Sequence, residues 1–149
     1  MNQGRIKVSS ELHPGVTTYH DGCHYGRNSL KTFGHGYFEE GRIIGRSCCP
    51  EFVDMTPSGN GSYCCGAGGG GWALPWAEER VYYGRVKADQ IKETGADRVI
   101  VSCPTCRDQL KNSLNKEFNL GIEVKYLWEI VSDSLIVADQ EQNHSPGTQ

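Results

Sequence analysis

No apolar run in this 149-residue chain approaches the roughly 20 residues needed to cross a bilayer, so no membrane span is expected. The first fifteen residues, MNQGRIKVSSELHPG, lack the apolar core of a signal peptide. Positive charge is not in excess either. The net charge of -3 removes nucleic acid and acidic membrane surfaces from the expected partners. Internal repeats, internal linkers and any flavin or haem signature are also missing. These absences leave a soluble, cytoplasmic domain as the expectation. A chain of this length suffices for one domain burying roughly 70% of its unfolded surface.

Cysteine, by contrast, is abundant: Cys23, Cys48, Cys49, Cys64, Cys65, Cys103 and Cys106. An odd count without an export signal argues against a fully paired disulfide framework. Clustered thiols in a reducing compartment point instead to metal binding or redox chemistry, with buried small hydrophobes as the bland alternative.

Strands and helices are expected to alternate. Gly15–His20 reads as a strand ending at Asp21-Gly22, and Glu51–Met55 as a short strand closed by the turn-rich TPSGNGS. Between them Glu39–Gly45 has a helical pattern weakened by glycine. Ala77–Thr94 is the clearest helix, with Val81, Gly84, Ala88 and Ile91 on one face and Gly95 as C-cap. Arg98–Ser102 suits a buried parallel strand. A second helix starts at Cys103-Pro104 and carries Leu110, Leu114 and Phe118. A strand at Ile122–Leu127 and a short helix near Glu129–Val137 follow. The expected fold class is α/β, a Rossmann-like layered fold with a mainly parallel sheet and flanking helices. Residues 1–14 are expected to form a flexible segment, 15–138 a single domain and 139–149 a disordered tail.

In such sheets the working site lies beyond the carboxyl ends of the strands. Cys23, the Cys64-Cys65 doublet and the Cys103/Cys106 pair all follow expected strands or turns at that edge. In SCPTC, a strand delivers C-x-x-C to a helix start, where unpaired backbone N–H groups favour thiolate. Alone, that motif also reads as a thioredoxin-like pair. In DGCH, Cys23 is flanked by His20 and His24. Either histidine could serve as a base for the thiol, hydrogen-bond a sulfur, or be a plain loop residue.

SYCCGAGGGGW, Ser62–Trp72, carries a G-x-G-x-x-G match at Gly66, Gly68 and Gly71. The dinucleotide reading is weak, because turn residues crowd the preceding segment and Pro75 interrupts the helix start. The match also follows from glycine abundance. Two adjacent cysteines cannot easily chelate one ion, since strand-like backbone points neighbours apart. They can serve different irons of a polynuclear cluster where glycine frees the backbone.

The motifs YHDGCHYGR, CCGAGGG and SCPTC, in that order, resemble the cysteine-rich CCG domain of the B and D subunits of heterodisulfide reductase. Related iron–sulfur subunits of glycolate oxidase and of membrane complexes in sulfate reducers share it. The resemblance runs from about Gly15 to Val137. It implies a noncubane [4Fe–4S] cluster held by Cys23, Cys64, Cys65, Cys103 and Cys106, with Gly66 among the cofactor-binding residues. It further implies an oxidoreductase acting on sulfur groups, with Cys64, Cys65 and His24 as catalytic residues. Electrons would come from a partner subunit of flavin, haem or ferredoxin type, and the substrate would be a disulfide or thiol. Zinc is the expected substitute where clusters are not assembled, and a structural zinc domain or a cluster-free thiol exchanger remains the alternative. The chain lacks the N-terminal CCG half and the ferredoxin-like segment usual in the family, so it is expected to be a C-terminal half. Cys48-Cys49 falls outside the five-cysteine pattern and is expected to be buried thiol.

Overall fold

The computed structural model describes residues 5–137. Four strands, β1 (Val16–His20), β2 (Glu51–Phe52), β3 (Arg98–Val101) and β4 (Glu123–Tyr126), form one sheet in the order β2-β1-β3-β4. Every pairing is parallel. The expected layered α/β fold is therefore what the chain adopts, since parallel neighbours require crossovers that cover the sheet faces.

Alternation along the strands sorts the two cores. Tyr19 and Ile100 are register partners, as are His20 and Val101. Tyr19 and Ile100 pack with Cys48, Cys49 and Ile130 on one face. That face is covered by α2 (Glu39–Cys48) and α6 (Leu127–Ser134). Val99 and Val101 face the other way, toward Cys65, Ile91, Cys106, Leu110 and Leu114. There the cover is α3 (Ala77–Thr94) and a helical run from Pro104 to Glu117. That run comprises α4 (Pro104–Asp108), a π-helical stretch (Gln109–Leu114) and α5 (Asn115–Glu117). A short helix α1 (Ser29–Phe33) precedes α2.

β2 stops at Phe52 rather than Met55, α2 runs on to Cys48, and both ends of the last helix move. The last helix starts at Leu127 rather than Glu129, because Glu129 Oε2 accepts the backbone N–H of Tyr126 at 2.7 Å and fixes the first turn. It stops at Ser134, where Leu135 leaves to bridge Val8. The glycines that weakened the α2 reading are packing devices. A Cβ on Gly41 would lie 2.4 Å from the Tyr19 ring, and one on Gly45 2.5 Å from the Phe52 ring. Close approach of helix to sheet outweighs intrinsic propensity here.

At the amino end, Ser9 N–H donates to Ser134 O at 2.8 Å and Ile136 N–H to Lys7 O at 3.1 Å. The tail expected at 139–149 lies outside the described residues. No helix among the described residues is long and apolar enough to cross a membrane.

Candidate metal centre

Three loops meet beyond the carboxyl ends of β1 and β3. The first leaves β1 and carries Cys23. The second follows the TPSGNGS turn and carries Cys64 and Cys65. The third leaves β3 and enters α4 with Cys103 as its N-cap and Pro104 at the first helical position.

Asp21 braces the first two loops. Its carboxylate accepts two 2.8 Å bonds from Arg42 of α2 and a third, also 2.8 Å, from the backbone N–H of Gly59. Arg27 adds a second brace: its Nη1 donates to Ser62 O at 2.6 Å and to Ser62 Oγ at 3.0 Å. The second loop is in turn pressed against α3. Gly66 sits at φ +84°, and a Cβ there would fall 2.3 Å from Arg80 O. Glycine is required at that point for conformation and for space. From the other side, a Cβ on Gly84 would lie 2.8 Å from Cys65 O. Gln109 Nε2 then ties the π-helical stretch to α3 by donating to Arg80 O at 3.1 Å.

The result is a single connected chain of sulfurs. Cys65 Sγ donates to Cys106 Sγ at 3.3 Å, and both residues are buried. Cys64, exposed, accepts the Gly66 backbone N–H at 3.4 Å and hydrogen bonds from Cys23 and Cys65. Those bonds push the Cys64 thiol well below its ordinary range. Cys106 is held down to about 4, first by the Cys65 hydrogen bond and then by the His20 imidazole and Cys103. The donors move the opposite way. Cys23 is raised by its bond to Cys64 and by burial, Cys65 by its bonds to Cys106 and Cys64, and Cys103 by burial. The shifts thus alternate along the chain, down at Cys64 and Cys106 and up at Cys23, Cys65 and Cys103, and none of the five is in a disulfide.

The histidines divide. His24 is exposed, with Nδ1 3.5 Å from Cys23 Sγ, at the rim of the glycine loop. His20 is buried on the sheet face that holds Cys65 and Cys106, and one ring nitrogen lies within 4.8 Å of both sulfurs. Neither ring nitrogen of His20 has a hydrogen-bond partner among the described residues. An unpartnered buried imidazole facing sulfur fits a site built to receive a further group. The donor set fits the same idea, since thiolates from several loops are what polynuclear iron–sulfur groups take.

Cys48 and Cys49 are elsewhere. They are 0% and 1% exposed in the opposite core, and burial raises both thiols, against a smaller opposing pull from Thr17 on Cys49. Thr17 lies at the start of β1, the end remote from Cys23. An apolar cavity of about 480 Å³ beside α2 and α6, bordered by Tyr19, Ile44, Trp128 and Val131, touches none of the seven cysteines.

The glycine tract is not a phosphate loop. Gly69–Ala73 forms a 3₁₀ turn, and α3 begins only at Ala77, after Pro75. Arg80 closes this turn onto the helix by donating to Gly71 O at 2.9 Å and Trp72 O at 3.1 Å.

Sequence reasoning missed the Asp21–Arg42 brace and Lys87. The latter is 1% exposed on α3. A lysine three residues after Gly84 and four before Ile91, within the apolar stripe, was the available signal.

Comparison with known proteins matches residues 17–111 to the CCG cysteine-rich domain model. A probable membrane-anchored ferredoxin of Chromohalobacter salexigens is 33% identical over 91% of this chain and 19% of its own. The B subunit of the fumarate reductase (CoM/CoB) of Methanothermobacter marburgensis is 35% identical over 76% of this chain and 22% of its own. The D subunit of the dihydromethanophenazine:CoB–CoM heterodisulfide reductase of Methanosarcina barkeri is 32% identical over 88% of this chain and 30% of its own. The chain thus spans less than a third of the length of these relatives.

Proposed function

Since the chain belongs to the CCG family of cysteine-rich domains, we propose that it is the iron–sulfur domain of an oxidoreductase acting on disulfides or thiols. The observation that carries this reading is the continuous sulfur chain Cys23–Cys64–Cys65–Cys106–Cys103, assembled from three loops at one sheet edge. These five residues would hold a [4Fe–4S] group of noncubane type. Such a group supplies one-electron steps and a thiophilic metal surface, which zinc cannot match in redox terms.

The chain's own residues do the rest. Gly66 brings a backbone N–H to Cys64 and lets the loop lie against α3. His20 aims its imidazole at Cys65 and Cys106 from the buried side. His24 stands at the exposed rim beside Cys23, where it can carry a proton to or from a sulfur of the substrate. Reducing a disulfide to two thiols consumes two electrons and two protons. The electrons would come from a partner protein of flavin, haem or ferredoxin type; one of the relatives is itself named a ferredoxin. We place the domain in the cytoplasm, with zinc as an adventitious substitute.

A thiol exchanger built on Cys103 and Cys106 alone makes a different prediction. Cys23→Ser and Cys64→Ser should each abolish iron binding and iron-dependent disulfide reduction in the anaerobically reconstituted protein. Disulfide reduction that survives both changes would transfer the function to the C-x-x-C pair.

A further inference from the structure

We propose that Lys87 is the buried counter-charge of the sulfur centre, a positioning residue that sets how readily the bound group accepts an electron. The inference rests on the iron–sulfur reading above.

Lys87 is 1% exposed, and its Nζ donates to Gln90 Oε1 and to Met55 Sδ, the latter at 3.4 Å. Both acceptors are uncharged. A buried ammonium without a carboxylate on it is costly, and such a group persists where a negative charge lies within electrostatic reach. The acidic groups in reach are Asp21 first, then Cys65 and Cys64. Asp21 is already engaged by the paired bonds from Arg42 and by Gly59. Lys87 thus feels Asp21 most strongly and the cysteine doublet beside it.

Backbone geometry places it there. Gly84, one turn earlier on the same stripe of α3, abuts Cys65 O, and Gly66 abuts Arg80 O. Met55, which takes one of the lysine's hydrogen bonds, packs in the same core as Cys65 and Cys106. Burial holds Lys87 down to about 8, with Asp21, Cys65 and Cys64 pulling upward, so the group is cationic at neutral pH. Metal binding deprotonates thiols, and five thiolates on one group leave an excess of negative charge. A fixed positive charge in a poorly screened interior favours whichever redox state carries one more electron.

The test uses the full chain, reconstituted anaerobically, with iron content and a redox titration read by electron paramagnetic resonance. K87M and K87Q remove the charge at similar length; K87R keeps it. The neutral variants should retain iron, and their ratio of reduced to oxidised centre at a fixed potential should fall about tenfold. That equals a shift of about 59 mV to more negative potential for a one-electron couple. K87R should stay close to wild type. Iron retained with an unchanged potential in K87M and K87Q overturns the proposal. If both neutral variants lose iron while K87R keeps it, the centre needs the charge to assemble, which supports the proposal. Loss of iron in all three variants with a loaded wild type would make Lys87 a packing residue and overturn it. A wild type that binds no iron removes the iron–sulfur reading itself, and this inference with it.

Discussion

Cys64 and Cys65 are neighbours in the chain and yet occupy opposite environments, one exposed beside Cys23 and the other 2% exposed against Cys106. Adjacent side chains in extended backbone diverge, so the doublet bridges the rim and the floor of the site instead of chelating from one side. Cys64→Ser or Cys65→Ser should therefore abolish iron loading, while Cys48→Ser, whose thiol lies in the other core, should retain it. Equal iron loss in all three would mean that the doublets have been misassigned. The gathering of five cysteines at one sheet edge was legible because Gly, Pro and strand patterning mark where each loop begins. Of His20 and His24, only the second was expected to be catalytic. One belongs to the last position of β1 and inherits its facing from the strand's period of two, whereas the other begins a π-helical turn at the surface.

At the scale of elements, α3 organises the centre. It presses the doublet loop into place through Gly84 and Gly66 and inserts Lys87 behind it. Gly66→Ala should cost about 2–4 kcal/mol, from the positive φ and the clash with Arg80 O combined, and denaturant unfolding of the apoprotein measures it. A loss below about 0.5 kcal/mol would show that the loop can shift away from the helix.

Lys87 adds a pH signature. Its folded-state value near 8 lies below the ordinary lysine value of about 10.4, so between those limits the unfolded chain holds more protons. Stability from this group rises with pH through that window, and its penalty is fully present below about 8. Apoprotein K87M should therefore exceed wild type in stability near pH 7, by up to about 3 kcal/mol before the lost hydrogen bonds are counted. The gap should narrow toward pH 10, and a gap that stays constant contradicts the depressed value.

The α3 stripe was readable from its 3.6-residue period, but the polar member within it was not given a role. Its partners, Met55 and the doublet, are more than twenty residues away in sequence. The same distance hid the Asp21–Arg42 pair. In α2, local propensity misled because tight packing on Tyr19 and Phe52, not helix preference, selects Gly41 and Gly45.

For the whole molecule, the parallel sheet is what makes the centre possible. All strands point the same way, so β1 and β3 deliver their loops to one edge, and the TPSGNGS turn brings the third across it. Chain topology was foreseeable from alternating strands and helices, whereas the strand order β2-β1-β3-β4 depends on long-range pairing that no local pattern encodes. On the proposed reading, electrons and substrate would reach this edge from outside the domain, where Cys64 and His24 are exposed.

The central claim is that the five-sulfur chain holds an iron–sulfur centre. Iron and sulfide analysis of the anaerobically reconstituted chain, with electron paramagnetic resonance of the same sample, tests it most directly. The account predicts a coloured protein with about four irons and four sulfides per chain and a paramagnetic signal in one redox state. A colourless protein carrying stoichiometric zinc after the same treatment would contradict it.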